Sequence, residues 1–485
     1  MQKNTEQYGF GYGFNTSQDM AWTLAQVVAA TGGSLESGDG GVVFRSISTD
    51  TRKLETGDLF VALSGENFDG EAFAEDAVRS GAAGLVLKRK PVRDLKVPLV
   101  LVPDTLKALG DLASYRRRQM KALKVIAITG SSGKTTVKEM TAAVFSKKSG
   151  VLKTLGNFNN LIGLPLSLLP VDSSHRIAIL EMGMNQPGEI ARMTEIAAPD
   201  IACINNVQNA HLQGLDNLDG VARAKGELFA GLGPEATMVV NLDDRIVAAL
   251  AERYPQKKIT FGLNRKAQVR ATYIRHRGEN GVSFTLVAGP EKVRVRMQCV
   301  GKHNVLNALA AGAMAWAAGV NLKEIAAGLA GFAPYDKRFQ IEKIKGGIRL
   351  VNDTYNANPA SMLAALETVK GLSRDNRSAV VIGDMLELGS ESVAAHRFIG
   401  KTVARLSFDY LLTFGSFAKT LAEAAREDGM AEERIFSFAS KEEIVACLQG
   451  FIRENKIGAN DWLLVKGSRG LRMETVVSGL QEANG

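Results

Sequence analysis

Residues 125–136 read VIAITGSSGKTT, and this stretch constrains the fold more than any other. The apolar run 125–129 is short enough for a buried strand. Gly130, Ser131, Ser132 and Gly133 then make a tight loop. Lys134, Thr135 and Thr136 open a helix in which Val137, Met140 and Val144 recur at helical spacing. Glycines let a backbone turn its N–H groups toward a phosphate chain, and a helix N-terminus adds positive potential. A lysine at this position reaches the outer phosphates, and a threonine hydroxyl holds Mg²⁺. A chance Gly-Ser turn would not supply strand, loop and helix in the required order. The general P-loop begins with glycine five residues before Gly133. Here that position is Ile128, so the loop is a shortened variant.

The 485 residues exceed one core and suggest three domains. Hydrophobic content of 45% and charged content of 23% fit a soluble globular enzyme. No apolar segment reaches membrane-spanning length, so no membrane insertion is expected. Residues 1–19 lack the apolar centre of a signal peptide and read as a loose leader. Cys203, Cys299 and Cys447 lack metal or redox spacing, which suits a reducing cytoplasm. The net charge is +8, but the basic residues are scattered. The one dense run, Tyr115-Arg116-Arg117-Arg118, reads as a solvated helix face. No nucleic-acid partner is expected, and the surplus charge suits polyanionic small molecules.

Residues 20–103 read as a small mixed α/β domain. It opens with a helix ending at Gly32-Gly33 and contains the turn-like STDTRKLETGD before the strand LFVAL. Residues 104–333 carry the P-loop unit, buried strands at 177–183, 201–207, 238–244 and 258–262, a β-hairpin region at 271–301, and a long apolar helix from Asn304 to Ala318. Strands alternating with helices predict a parallel sheet. Residues 334–485 repeat that rhythm as a C-terminal doubly wound, Rossmann-like domain. Its strands end at Asp353, Asp384 and Lys466, and ligands gather at such strand ends, so these residues are expected to face a nucleotide cleft.

Several residues could carry chemistry. Glu181 ends the strand after the P-loop unit, where a Mg²⁺ ligand is wanted, although an ordinary strand-end acid reads the same. His211 follows a buried strand beside the expected phosphate site, and a functional role is favoured over a structural one. Lys225 lies on a helix, where position alone would make it solvated. Asn304 could be a helix N-cap. Asn307 sits one turn in, where a buried amide needs a partner, and an adenine edge would supply one. The run 353–359, DTYNANP, reads as an Asx-turn before a helix or as a ligand site. Arg338, at a domain boundary, could place a guanidinium on phosphates.

Taken together, these segments resemble the Mur ligase family from residue 20 onward. TGSSGKTT, EMGMNQPGEI, NNVQNAHLQG, AKGELF, GKHNVLNALAA, NDTYNANPASM, VIGDMLELG and VKGSRGLRME occur in the family's order. NFNNLIGLPLSLL, YNANP and GDMLELG resemble the branch that accepts D-alanyl-D-alanine. The resemblance implies an ATP-dependent C–N ligase of cytoplasmic peptidoglycan precursor synthesis, a monomer whose small-molecule substrates are UDP-muramyl tripeptide and D-Ala-D-Ala. It implies ATP contacts from Thr129, Gly130, Ser131, Ser132, Gly133, Lys134, Thr135 and Thr136, from Asn304 and Asn307 to adenine, and from Arg338 and Asp353 to phosphates and ribose. Two Mg²⁺ ions would be held by Thr135, Glu181, His211 and Lys225, the last as a CO₂-derived carbamate. Lys134, Glu181, His211 and Lys225 would form the catalytic set. Ser48, Asp50, Thr51 and Arg52, with Asn157, Asn159 and Asn160, would meet the UDP-sugar or its peptide. Tyr355, Asn356 and Asn358 would border the dipeptide.

Other readings predict different behaviour. A Mur ligase adding the third amino acid usually carries an Asp-rich, Pro-Arg-containing motif, which is absent here. A folylpolyglutamate synthetase-like ligase would not be expected to carry the STDTR domain. A regulatory P-loop ATPase would hydrolyse ATP without a muramyl peptide. A degenerate nucleotide-binding protein would not need Lys134, Glu181, His211 and Lys225 intact.

Overall fold

The structure is a computed structural model, and it describes residues 21–65, 68–146, 150–210, 212–334 and 336–482. The leader 1–19 and the candidate ligand His211 lie outside the described residues. The chain divides into two compact units. One comprises residues up to Leu123 together with Leu155–Arg176, and the other Lys124–Thr154 with Ile177–Gly485.

The first unit is built on a mixed sheet in the order Ser34–Ser37, Leu99–Leu101, Gly84–Leu87, Leu59–Val61 and Ile47–Ser48. Thr23 and Gln26 form a capping box that starts the helix Leu24–Thr31, and Gly32 ends it with φ +64°, a conformation that suits glycine. The helix Thr105–Gln119, which the sequence grouped with the P-loop region, packs in this unit against Leu24–Thr31 and Gly163–Leu168. It corrects the solvated reading of the basic run. Arg116 and Arg117 are buried and only Arg118 is exposed. The Arg116 guanidinium lies 4.4 Å above the Trp22 ring, so here the charge serves packing.

The second unit carries two larger sheets. The first runs Gly150–Lys153, His175–Glu181, Lys124–Thr129, Ile201–Ile204, Thr237–Asn241, Lys257–Gly262, Val269–His276, Val282–Ala288 and Glu291–Met297. The pairings from His175–Glu181 through to Val269–His276 are parallel, and the last two are antiparallel. The expected P-loop strand, hairpin region and long helix are all present. The long helix spans Lys302–Ala317 behind Gly301, so Asn304 is an interior residue rather than the cap. Its small face, with Val305, Ala308, Leu309 and Ala311 buried, packs against Val137 and Met140 of the P-loop helix Lys134–Phe145. That packing holds the P-loop helix on its sheet.

The second sheet runs Gln340–Lys343, Arg349–Asp353, Trp462–Lys466, Ser378–Gly383, Tyr410–Phe414 and Ile435–Phe438. It is parallel apart from its first, antiparallel strand. The strands have helices between them in sequence, which is the α/β class expected of the chain.

Candidate active site

The loop after Lys124–Thr129 is held by its own sequence neighbours and by the segment following Ile201–Ile204. Gly133 has φ +78°, and a Cβ there would meet Asn307 Oδ1 at 2.5 Å and Asn205 Nδ2 at 2.8 Å. Only glycine fits this conformation at this approach. Ser131 N donates to Asn206 O, and Ser132 N donates to Asn206 Oδ1 at 2.9 Å. Ser131 Oγ donates to Gln208 O, while Ser132 Oγ donates to Gln208 Oε1 at 2.9 Å. Asn205, Asn206 and Gln208 therefore shape the loop. They lie within NNVQNAHLQG, where the sequence alone assigns them no role. Polar side chains just past a buried strand, beside a P-loop, were the available signal.

Lys134 Nζ donates to Gly130 O at 2.8 Å, curling back over the loop. Desolvation lowers its pKa, Glu181 and Glu387 act to raise it, and Arg338 acts with the burial. Thr129 Oγ1 donates to Met182 O and so ties the P-loop strand to the one bearing Glu181. Thr135 Oγ1 donates to Glu181 Oε2 at 2.7 Å and accepts from Arg338 Nη2 at 2.8 Å. Glu181 is 3% exposed. Its backbone N–H donates to Thr154 Oγ1, and Thr154 O in turn accepts from the fully buried Lys138.

Arg338 is aimed by its backbone. Lys337 and Phe339 on either side have φ +58° and +52°. Side-chain and backbone bonds hold that strained segment: Tyr355 N donates to Lys337 O, and Phe339 N donates to Asp353 Oδ1. The guanidinium stacks 3.9 Å above the Tyr355 ring. Its Nε is buried with no hydrogen-bond partner among the described residues, an orphaned donor beside the P-loop threonine.

Lys225 is fully buried, contrary to the solvated position its helix alone suggested. Among the described residues its hydrogen-bond partner is the thioether of Met184, at 3.4 Å. Desolvation, with the nearby Lys134 charge second, holds its amine well below the ordinary lysine range. An ammonium there would be costly, so burial favours the neutral amine.

Asn307 Nδ2 donates to Asn304 Oδ1, Asn205 Nδ2 donates to Asn307 Oδ1, and Asn304 Nδ2 donates to Val300 O. This chain of amides lies directly behind Gly133. Asp353 and Lys466 are paired in register on neighbouring strands and joined at 2.6 Å. Asp384 instead accepts from the backbone of Ser416 and Phe417. Asn356 Oδ1 accepts from Ala357 N. Asn358 caps the helix Pro359–Ser373 in a box with Ser361 and reaches Ser131 O at 3.3 Å. His303, absent from the sequence-based set, sits within electrostatic reach of Asp353 and Lys466, and burial pushes its pKa down to about 4.

Ser48, Asp50, Thr51, Arg52, Asn157, Asn159 and Asn160 all belong to the first unit. STDTR is a knuckle closed on itself. Ser48 Oγ donates to Asp50 O, and Asp50 caps the turn Thr51–Lys53. The Arg52 side chain, hydrogen-bonded to Asp50, holds that carboxyl below its usual range. Asn160 Oδ1 accepts from Gly163 N at 2.8 Å, just before the helix Gly163–Leu168.

Metal fit differs between positions. Thr135 and Glu181 offer hard oxygen donors beside a phosphate-binding loop, which suits Mg²⁺. Unmodified, Lys225 offers a nitrogen that a hard dication does not favour. Among the described residues no cluster of three or more His, Cys, Asp or Glu side chains forms a ready-made metal site.

Comparison with known proteins places the chain in a family. Residues 128–315 match the family model described as Mur ligase middle domain, 337–469 the Mur ligase, glutamate ligase domain, and 43–117 the Mur ligase family, catalytic domain. The chain is 38% identical over 462 residues to the UDP-N-acetylmuramoyl-tripeptide--D-alanyl-D-alanine ligase of Escherichia coli, covering 95% of this chain and 98% of the relative. It is 35% identical to the Bacillus subtilis protein of the same name over 91% and 94% of the two chains. Among solved structures, MurF from Acinetobacter baumannii superimposes with a TM-score of 0.88 at 34% identity, over 95% of this chain and 99% of that one. MurF from Thermotoga maritima, solved in complex with ADP, gives 0.80 at 27% identity over 90% and 97%. With its shortened P-loop intact and nearly its whole length matched, the chain belongs to the Mur ligase family.

Proposed function

We propose that this chain is the ATP-dependent ligase that joins D-alanyl-D-alanine to UDP-N-acetylmuramoyl-tripeptide, releasing ADP and phosphate in the cytoplasm. One observation carries the reading: a relative named for this ligation matches 95% of the chain and 98% of its own length. The P-loop cluster around Lys134, Thr135, Glu181 and Arg338 supplies the chemistry it needs.

A carboxylate is a poor electrophile. Its oxygen attacks the γ-phosphorus of ATP, ADP leaves, and an acyl phosphate forms. The dipeptide amine then attacks the acyl carbon, and phosphate departs. Lys134 and Arg338 bring positive charge to the transferred phosphoryl group. Thr135 and Glu181 would hold one Mg²⁺, and His211 with carbamylated Lys225 a second. Bound there, Mg²⁺ offsets phosphate charge. The neutral amine of Lys225 is the form that adds to CO₂, giving a carbamate and one released proton. Asn304 and Asn307 are assigned to adenine, Asp353 to ribose, and Tyr355, Asn356 and Asn358 to the border of the dipeptide site. The two loops of the first unit, 48–52 and 157–160, are assigned to the UDP-sugar and its peptide. The chain is taken to act as a monomer. Among the described residues no helix is long and apolar enough to cross a membrane.

The test is phosphate release from ATP with UDP-muramyl tripeptide, with and without D-Ala-D-Ala. Release requiring both acceptors, with the pentapeptide product in the mass spectrum, is expected. Release that ignores the muramyl peptide would overturn the proposal in favour of a regulatory ATPase.

A further inference from the structure

The P-loop helix Lys134–Phe145 carries a second lysine that the reaction above does not use. Lys138 lies one turn beyond Lys134, and its side chain is fully buried. Its Nζ donates to Thr154 O at 2.7 Å and lies 3.1 Å from Glu139 Oε1. Lys153 pairs with the other oxygen of that carboxylate. Taking an ammonium out of water is expensive, and a buried ion pair is weak support for stability. What the ammonium does to the backbone beside it is more specific.

Thr154 follows the strand Gly150–Lys153 and clasps the neighbouring strand His175–Glu181 at two points. Its N–H donates to Ile179 O at 3.0 Å, and its Oγ1 accepts from Glu181 N at 3.0 Å. Contacts two residues apart on the neighbour have the spacing of a parallel ladder, in which the second bond goes to the main-chain carbonyl. Here Lys138 takes that carbonyl, and the Thr154 hydroxyl replaces it as the acceptor for Glu181 N. The rerouting falls on the residue whose carboxylate accepts from Thr135 in the P-loop.

A carboxylate that holds a cation owes its orientation to the groups behind it, and losing that support weakens metal binding. We propose that Lys138 is a positioning residue for Glu181, acting through Thr154 to set the carboxylate that holds Mg²⁺, a role that rests on the ligase reading above. In this role Lys138 touches neither ATP nor the metal. Its ammonium fixes the Thr154 carbonyl, the Thr154 hydroxyl fixes the Glu181 N–H, and the Glu181 side chain is thereby aimed at the P-loop.

Two measurements on full-length Lys138→Met and Thr154→Val proteins test it. The first is hydrogen exchange on the metal-free protein, which needs no turnover. Exchange should quicken over residues 178–182 in both variants, while the strand Tyr410–Phe414 in the other large sheet keeps its wild-type protection. The second is phosphate release with UDP-muramyl tripeptide and D-Ala-D-Ala as Mg²⁺ is varied. Half-saturation by Mg²⁺ should rise at least about tenfold in either variant, with KM for D-Ala-D-Ala within about twofold of wild type. The double variant should be no worse than the more affected single one, because both act on one path. A uniform rise in exchange, equal shifts in the Mg²⁺ and dipeptide constants, or additive effects would give Lys138 a merely structural or separate role and overturn the proposal. Wild-type values in either variant would do the same. Should Lys138→Met not fold, Lys138→Gln, one atom shorter than lysine, takes its place. If Glu181→Gln itself left the Mg²⁺ half-saturation unchanged, the metal assignment of the ligase reading would fail, and the proposal with it.

Discussion

Thr135 donates its hydroxyl to Glu181 over 2.7 Å, although 46 residues separate the two in sequence. The bond ties the first turn of the P-loop helix to the end of the neighbouring strand, and both side chains are buried. Removing the hydroxyl leaves a buried carboxylate short of a donor, a loss of about 1–3 kcal/mol. Thr135→Ala should therefore lower kcat by about 10²-fold and move the Mg²⁺ dependence to higher concentration. A Mg²⁺ titration of phosphate release reads both, and an unchanged half-saturation would remove Thr135 from the metal site.

Arg338 lies 203 residues from Thr135 in sequence and 2.8 Å from its hydroxyl. A lysine has one charged nitrogen where the guanidinium offers a planar fork. It could not both stack on Tyr355 and reach Thr135 in the same way. Arg338→Lys should raise KM for ATP about tenfold with little change in KM for D-Ala-D-Ala. Equal effects on both substrates would place the residue elsewhere in the reaction.

Lys225 makes opposite demands on stability and activity. Its amine is desolvated, so the unfolded chain binds a proton there more readily than the folded one. Stability then rises as pH climbs toward the ordinary lysine value near ~10.4. Lys225→Met should be inactive yet more stable than wild type at pH 7, with the difference shrinking by pH 10. Urea unfolding at the two pH values measures it. Lys225→Ala should regain some activity with short carboxylic acids, which would stand in for the carbamate; no rescue at any concentration counts against that modification.

The P-loop was legible because its information is local. Strand, glycines, lysine and threonines lie within a dozen residues, and the heptad-like run of Val137, Met140 and Val144 marks the buried helix face. The later strands were legible for the same reason, as apolar runs ending in polar residues. The partners that complete the site were not. Nothing near Lys225 in sequence says that Met184 will cover it, and nothing near Arg338 points to Thr135. Arg116 misled because a run of arginines looks solvated until Trp22, far away in sequence, supplies a ring to pack on. Local pattern specifies elements, whereas pairings between distant strand ends depend on how the sheets assemble.

Gly133 gives a backbone test of the loop. Gly133→Ala would put a methyl group 2.5 Å from Asn307 Oδ1 in a φ +78° conformation that alanine resists. The strain is about 1–3 kcal/mol, and the displaced Asn307 and Asn205 carry the amide chain behind the loop. The variant should lose ATP binding by calorimetry while the circular dichroism spectrum stays that of the wild type. Retained ATP affinity would show that the loop does not touch nucleotide.

His396 holds the loop that follows the strand Ser378–Gly383 by accepting from Met385 N. It is 1% exposed and stacks on Phe417 at 4.4 Å. Nδ1 donates to Ser392 O, leaving Nε2 as the acceptor for Met385 N–H, so the ring is neutral. Desolvation lowers its pKa, against the opposing pull of Ser392 O and Asp384. The folded state thus binds fewer protons than the unfolded one, and stability falls as pH drops below the unfolded value near ~6.5. Protonation would also put a second donor against Met385 N–H and free the loop. Hydrogen exchange across residues 383–389, corrected for the intrinsic pH dependence, should show protection at pH 7 that weakens on acidification to pH 5. His396→Phe keeps a ring against Phe417 but removes the acceptor. Its loop should be unprotected at pH 7 and indifferent to further acidification. Wild-type protection that is the same at both pH values would mean that the imidazole does not hold the loop.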